Sequence, residues 1–220
     1  MFLEVKNITK SIHGDVVIKN VSLCSERGRV IGLRGINGSG KTMLMRLISG
    51  LIRPTKGQVL IDGEVVSKDI PFPRSLGVLI EGPAFLDDYS AMDNLKLIAY
   101  PKGKVTEDEI RAVLSEVRLD PKSRKKYKKF SLGMKQRLGI AAAVMEHPDL
   151  ILLDEPTNAL DESGVDMLGD IVKKEKERGA VLIVSSHDRD ILEDISDEIC
   201  DLEQGEIVRH SIKGEKRSES

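Results

Sequence analysis

The residues best suited to chemistry form a glycine-rich loop, in which glycines at positions 35 and 40 are followed by Lys41 and Thr42. This is the spacing G-x-x-x-x-G-K-[ST]. Without a Cβ, glycine lets backbone N–H groups converge on an anion, and the helical pattern over 43–49 presents its positive end to the same anion. The loop therefore predicts a nucleoside triphosphate site, with Lys41 on the β- and γ-phosphates and the Thr42 hydroxyl on Mg²⁺. The residues predicted to contact the nucleotide are Gly35, Asn37, Gly38, Ser39, Gly40, Lys41, Thr42 and Met43.

A chance match of a Gly/Ser-rich turn is the alternative interpretation of this loop. The surrounding sequence favours the phosphate loop, because an apolar run at 30–33 predicts a buried strand before it and a helical pattern follows it. The pattern alone does not indicate what the energy of the nucleotide is used for.

Further apolar runs at 76–80, 150–153 and 180–184 predict buried strands, and helical patterns lie between them. Alternating strands and helices favour an α/β fold with a mainly parallel sheet and right-handed crossovers. Ligands of such sheets bind at the carboxyl ends of the strands. The polar groups found at those ends are the glycine-rich loop, Glu81, Asp154, Glu155 and His187.

The two acids after 150–153 suit separate roles. Asp154 is predicted to bind Mg²⁺, directly or through water, opposite Thr42. Glu155 is the candidate to orient or deprotonate the attacking water, and His187 to contact the γ-phosphate or that water. An N-cap pair is the alternative for the two acids, which Pro156 speaks against. A structural histidine is the alternative for His187.

Composition narrows the function classes. The 220 residues suit one α/β domain, alone or with a small subdomain, and the net charge of −2 gives no basic field that favours nucleic acid. Aromatic residues are 3% of the chain, which leaves few platforms for stacking on bases. No apolar run approaches the roughly 20 residues of a membrane span, and the N-terminus is no signal peptide. We therefore expect a chain that is soluble by itself and works at a membrane only through another chain.

Cys24 and Cys200 are far apart in sequence and belong to no C-x-x-C motif. They are predicted to be free, buried thiols in a reducing compartment.

The remaining sequence divides into three parts. The turn at Asp62-Gly63 predicts a hairpin and an N-terminal antiparallel β subdomain. Residues 85–147 show helical patterns, with Ser90 and Thr106 as N-caps, and predict a helical subdomain inserted into the core. A segment of six basic residues at 122–129 favours a solvated surface over a nucleic-acid patch. Residues 213–220 are a polar tail, so a single domain is predicted over 1–212.

Five motifs, taken in order, resemble those of ATP-binding cassette (ABC) ATPases over residues 2–210. They are the loop at 35–42, the block Ser131-Leu132-Gly133-Met134-Lys135-Gln136-Arg137, residues 150–155, Asn158-Ala159-Leu160-Asp161, and Ser186-His187. Ser131 and Gly133 match the family signature L-S-G-G-Q, whereas its first, third and fifth positions depart from it. This version resembles the branch that serves bacterial exporters of antimicrobial peptides, such as bacitracin- and lantibiotic-resistance transporters.

Two further departures bear on the site. Glu81 stands where most of the family has the glutamine of its Q-loop, and the same branch carries glutamate there. Such a carboxylate can face Mg²⁺ or water, although it adds negative charge beside the γ-phosphate. Near Ile12 and His13 the chain also lacks the aromatic residue that many members stack on adenine.

The resemblance implies an ATPase, with ATP and Mg²⁺, that works as a head-to-tail dimer. ATP would lie between the phosphate loop of one copy and Ser131 and Gly133 of the other, with Asp161 near the seam. An integral membrane permease would hold the chain at the cytoplasmic face of the membrane, and export would be the direction of transport. The alternatives are a soluble ABC ATPase of translation or DNA repair, and a nucleotide-gated regulatory subunit with little turnover.

Overall fold

A computed structural model describes residues 1–101, 103 and 105–214. Within them the strands are β1 Leu3–Ile12, β2 Asp15–Ser25, β3 Arg29–Arg34, β4 Lys56–Ile61, β5 Glu64–Val65, β6 Leu76–Leu79, β7 Leu150–Leu153, β8 Val181–Ser186, β9 Glu198–Glu203 and β10 Glu206–Ile212. The helices are α1 Lys41–Ile48, α2 Ala91–Ala99, α3 Glu107–Glu116, α4 Leu132–Val144, α5 Glu162–Glu177 and α6 Arg189–Ile195, with a 3₁₀ turn at Tyr127–Lys129. Of the predicted polar tail, 215–220 lie outside the described residues.

The central sheet has the strand order β10-β9-β3-β8-β7-β6. All its neighbouring strands run parallel except the final hairpin of β9 and β10. The carboxyl ends of β3, β6, β7 and β8 therefore meet at one edge, because parallel strands end on the same side. The predicted fold class is confirmed: this parallel core carries an antiparallel sheet and an inserted helical region.

The central sheet separates two hydrophobic clusters, and β7 shows how one strand serves both. Ile151 and Leu153 pack into the cluster that includes α3, α4 and α5. Leu150 and Leu152 pack into the cluster that includes α1 and the N-terminal sheet. Successive side chains of a strand point to opposite faces, so a strand that is buried on both faces needs the unbroken apolar run seen in the sequence.

The N-terminal sheet is antiparallel, with the order β2-β1-β4-β5. Its β4–β5 hairpin turns at Asp62 and Gly63, which both have positive φ, 51° and 82°. Two successive positive φ values suit the Asp-Gly pair and explain why the sequence indicated this hairpin.

The region predicted to be helical, 85–147, contains α2, α3 and α4 and no strand among its described residues. Ser90 and Thr106 each accept a hydrogen bond from the backbone N–H three residues on and form capping boxes. The basic segment 122–129 has no α-helix, as its like charges predict, although Tyr127 within it is buried. The domain bounds 1–212 remain a prediction.

The prediction for Cys24 is wrong, because this cysteine is exposed. It lies on the edge strand β2 between buried Leu23 and Ser25, so the alternation of the strand turns its side chain outward. Cys200 is buried as predicted, and burial raises the pKa of its thiol to about 12.

Candidate nucleotide-binding site

The glycine-rich loop connects β3 to α1, as the sequence predicts, and Gly40 is the N-cap of α1 with φ 112°. A Cβ added at Gly35 would lie 2.4 Å from Ser39 Oγ and 2.5 Å from the Leu202 carbonyl oxygen. Glycine at 35 therefore allows the close packing of the loop against β9, and glycine at 40 allows the left-handed turn into the helix.

Lys41 closes this loop from inside. Its side chain is buried, and Nζ donates to the carbonyl oxygens of Gly35 at 2.5 Å and Ile36 at 3.3 Å. The same Nζ lies 3.3 Å from Glu155 Oε1. The loop lysine is thus placed between the loop backbone and the carboxylate at the end of β7.

Thr42 and Asp154 join the first turn of α1 to the end of β7. Thr42 Oγ1 donates to Asp154 Oδ2 at 2.6 Å, and Ser185 Oγ of β8 donates to Asp154 Oδ1 at 2.6 Å. Ser185 Oγ also accepts a hydrogen bond from the Glu155 backbone N–H at 2.9 Å. One serine on the neighbouring strand therefore fixes both acids relative to the sheet.

Glu155 turns away from β7 with a φ of 47°, a left-handed conformation that is uncommon for glutamate. Its Oε2 lies 3.0 Å from His187 Nδ1. Its backbone carbonyl accepts a hydrogen bond at 3.2 Å from the amide of Gln136, a buried α4 residue that also donates to the Pro156 carbonyl at 3.0 Å. Backbone strain of this kind persists when several contacts fix it, as they do here.

A cavity of about 550 Å³ lies over the loop. Ten of the predicted site residues line it, namely Asn37, Gly38, Ser39, Gly40, Lys41, Thr42, Met43, Glu81, Asp154 and Glu155. Gly35, Ser131, Gly133 and His187 are not among its lining residues, and His187 reaches the cavity through Glu155.

Six lining residues were not predicted, namely Val16, Val17, Lys19, Arg46, Gln204 and Gly205. They come from strand β2, from the turn between β9 and β10, and from the second turn of α1. Val16 and Val17 offer an apolar surface beside the loop, whereas Ile12 and His13 are not lining residues.

Charges are balanced around the cavity. Lys19, Lys41 and Arg46 contribute three cations, and Glu81, Asp154 and Glu155 contribute three carboxylates. Arg46 Nη2 donates to Glu81 Oε2 in a close ion pair, so the carboxylate that follows β6 is linked to α1.

The donor set suits a triphosphate with Mg²⁺. The Ser39 hydroxyl is buried without a hydrogen-bond partner, which leaves it free to bond to a ligand. Glu155 Oε1 is buried too, and its contact is the 3.3 Å ion pair with Lys41 Nζ. Mg²⁺ prefers oxygen ligands and is bound through one or two carboxylates together with phosphates and water. Thr42 Oγ1 and Asp154 Oδ2 lie side by side at the cavity, so these two oxygens would hold the ion together with the phosphates.

Ser131 lies apart from the cavity, at the N-terminus of α4. Its hydroxyl accepts a hydrogen bond from the Met134 backbone N–H at 3.2 Å, and both Ser131 and Leu132 are exposed. Gly133 packs against the next loop, because a Cβ there would lie 2.8 Å from the Ala159 carbonyl oxygen. The chain therefore presents a second helix N-terminus, which suits an anion, outside the cavity over its own loop.

Asp161 caps α5 and also pairs with α4. It accepts a hydrogen bond from Gly164 N–H at 3.0 Å and one from Arg137 Nη2 at 2.7 Å. Desolvation acts to raise the pKa of Asp161, but the hydrogen bonds from Gly164, Ser163 and Arg137 together outweigh it and hold that pKa below its usual value. This carboxylate is thus an anion that links the Ser131 helix to the loop after Glu155.

The sequence model of the ABC transporter family matches residues 18–158. The chain belongs to this family. It is 46% identical over 205 residues to the uncharacterized ABC transporter ATP-binding protein YybJ of Bacillus subtilis, which covers 93% of this chain and 94% of YybJ. As a member of this family the chain is an ATPase, the ATP-binding subunit of an ABC transporter.

Two relatives carry names of the branch that the signature block indicates. The lantibiotic transport ATP-binding protein SrtF of Streptococcus pyogenes is 36% identical over 94% of this chain and 89% of its own length. The bacitracin transport ATP-binding protein BcrA of Enterococcus faecalis is 36% identical over 94% of this chain and 68% of its own length. The resemblance to the bacitracin and lantibiotic branch is therefore confirmed.

A solved structure supports the hydrolytic activity. The chain is similar to the dimeric, post-hydrolysis structure of the ATP-binding cassette MJ0796 with ADP and phosphate, with a TM-score of 0.85 and 25% identity over 96% of this chain and 98% of that one. Within the described part of this chain, no helix is long and apolar enough to cross a bilayer.

Proposed function

We propose that two copies of this chain bind two ATP molecules with Mg²⁺ head to tail, and that hydrolysis drives export of an antimicrobial peptide through a separate membrane subunit. The proposal rests on one observation: the predicted site residues of a single copy lie in two separate places. Lys41, Thr42, Asp154 and Glu155 surround one cavity, whereas Ser131 is exposed at a helix N-terminus outside it. A second copy would complete the site by bringing its Ser131 helix to the γ-phosphate.

In this mechanism the loop N–H groups and Lys41 bind the phosphates, and the contacts of Nζ with the Gly35 and Ile36 carbonyls keep the ammonium at the loop. Thr42 and Asp154 would hold Mg²⁺, which would neutralise negative charge on the phosphates. Glu155 accepts a proton from the attacking water, and His187 holds its carboxylate in place through the 3.0 Å contact.

The proposed dimer is supported by exposed apolar side chains at the two places that would meet when Ser131 of a second copy contacts the γ-phosphate. Leu132 lies next to Ser131 and Ile36 lies on the phosphate loop, and both side chains are exposed. The α4 N-terminus and the phosphate loop thus each carry an apolar side chain that a second copy would cover. The similar MJ0796 cassette is itself described as dimeric after hydrolysis.

The proposed docking of the membrane subunit is supported by exposed side chains in the segment between β6 and α2. Leu86 and Tyr89 are exposed there, and Tyr127 N–H donates to the Tyr89 carbonyl at 2.9 Å. Lys128 of the basic segment pairs with Asp88, which lies between Leu86 and Tyr89, so these two exposed side chains form a surface patch beside the basic residues. This chain would lie on the cytoplasmic face of the membrane, with the patch against a cytoplasmic loop of the permease.

The substrate class is supported by the names of SrtF and BcrA, which describe transport of a lantibiotic and of bacitracin. Direction and cargo are set in the permease, so we infer them from this branch and from no residue of the chain.

The test is co-purification from detergent-solubilised source membranes with the tagged chain, with and without ATP. We expect one polytopic membrane protein in near-equal amount, and its loss in a Leu86→Asp, Tyr89→Asp double variant that still binds ATP. Reconstituted with that protein, the chain should hydrolyse ATP faster when an antimicrobial peptide is added. Capture of ribosomes, or stimulation by nucleic acid in place of peptide, would overturn the transporter assignment of this chain.

A further inference from the structure

Arg46 and Glu81 form an ion pair at the cavity wall. Arg46 lies four residues after Thr42 on α1, so the two side chains project from the same side of the helix into the cavity. Glu81 follows the end of β6 with a φ of 63° and is about half exposed, with 57% of its side-chain surface accessible. Among the described residues Arg46 is its one ion-pair partner.

The position of Glu81 creates an electrostatic problem for a nucleotide site. Asp154 and Glu155 already line the cavity, and a third carboxylate facing it repels phosphate. The other two lining cations have partners of their own, because Lys41 pairs with Glu155 and Lys19 lies 3.3 Å from Glu206 Oε1. Neutralisation of Glu81 therefore depends on Arg46.

The pair also stands at the entrance to the helical region. Gly82, with φ 97°, and Pro83 follow Glu81, and the Pro83 carbonyl accepts a 2.6 Å hydrogen bond from Tyr127 Oη. Arg46 thus links the helix after the phosphate loop to the segment that leads towards α2.

We propose that Arg46 is a positioning residue that neutralises Glu81 and holds it against α1, so that this carboxylate can border the cavity without repelling the phosphates. The proposal rests on the ATP site described above. It makes the effect of Arg46 on nucleotide binding conditional on the charge of Glu81.

A structural role for Arg46 gives a different expectation. Arg46 lies in the last turn of α1, where a cation is favourable beside the helix C-terminus whatever residue stands at 81. In that case its removal has the same effect on nucleotide binding whether or not Glu81 carries a charge.

The experiment measures the Kd of a non-hydrolysable ATP analogue with Mg²⁺ by calorimetry on the full chain, in a double-mutant cycle. Arg46→Met should weaken binding about fivefold, the size of a partly exposed ion-pair effect. With Glu81→Gln also present, the same change should cost less than about twofold, and Arg46→Lys should retain binding because the charge remains. The matched control is Lys19→Ala with Glu81→Gln, whose effects should simply add.

Equal weakening by Arg46→Met in both backgrounds would overturn the proposal, and so would a fivefold loss in Arg46→Lys. These outcomes leave the proposed function standing as long as the parent chain binds the analogue. Failure of the parent to bind would instead count against the proposed ATP site.

Discussion

Thr42 Oγ1 lies 2.6 Å from Asp154 Oδ2, although 112 residues separate them in the chain. This contact joins the helix after the phosphate loop to the end of β7, and it places a hydroxyl and a carboxylate side by side at the cavity. A hydroxyl and a carboxylate are both hard oxygen ligands, so the pair is suited to Mg²⁺.

The first prediction follows from this pair. Thr42→Val removes the hydroxyl and keeps the shape of the side chain, so we expect ATP to bind with similar affinity with and without Mg²⁺. In the parent chain Mg²⁺ should strengthen binding. Thr42→Ser is the matched control and should retain the Mg²⁺ effect. Calorimetry with EDTA or MgCl₂ checks this, and a normal Mg²⁺ effect in Thr42→Val would exclude the hydroxyl as a ligand.

The second prediction concerns Glu155. Glu155→Gln keeps the contacts of the backbone to Ser185 and Gln136 but removes the base, so hydrolysis should fall by roughly 10²- to 10⁴-fold while ATP binding persists. The variant should also become dimeric with ATP. Phosphate release and light scattering measure the two effects, with Glu162→Gln, an exposed residue of α5, as control. Hydrolysis at the parental rate would contradict the assignment of Glu155.

The third prediction separates two roles of Ser131, which caps α4 and is proposed to reach the ATP of a second copy. Ser131→Ala should lower hydrolysis and leave ATP binding by the monomer intact. Loss of a cap alone costs about 1 kcal/mol of stability. Ser90→Ala is the matched control, because it removes the cap of α2. If both variants lower hydrolysis equally, or if Ser131→Ala abolishes monomer binding, the proposed role of Ser131 is wrong.

The fourth prediction concerns the two thiols. Cys24 is exposed, whereas Cys200 is buried and its pKa is raised to about 12, so it stays a thiol at neutral pH. Because the thiolate is the reactive form, a thiol reagent should label one site in the native chain and two in denaturant. Labelling should vanish in native Cys24→Ser. Fast reaction of Cys200 in that variant would contradict its burial.

The sequence predicts the parts of the fold that are encoded locally. The unbroken apolar runs of β7 and β8 mark strands buried on both faces, and the loop motif marks the connection from β3 to α1. Lys41, Thr42, Asp154 and Glu155 were therefore predictable, because each sits at a strand end or at the loop that begins α1.

Other site features depend on contacts that no local pattern reveals. Ser185 holds both acids from the neighbouring strand, yet in sequence it only ends an apolar run. Gln136 fixes the Glu155 backbone from α4, and Arg46 pairs with Glu81 across 35 residues. The prediction that Cys24 is buried was wrong for a related reason, since its exposure depends on which face of β2 the core covers.

The last prediction tests the packing of the helical region on the core. A Cβ at Gly77 of β6 would lie 1.8 Å from the Ala143 carbonyl oxygen of α4. This clash is with backbone, so it can be relieved only if β6 or α4 moves. Gly77→Ala should therefore lower the free energy of unfolding by about 3 kcal/mol or more. Gly169 of α5 has open space at its Cβ position, so Gly169→Ala should raise it by about 0.5–1 kcal/mol. Urea unfolding measures both, and equal effects would contradict the contact of β6 with α4.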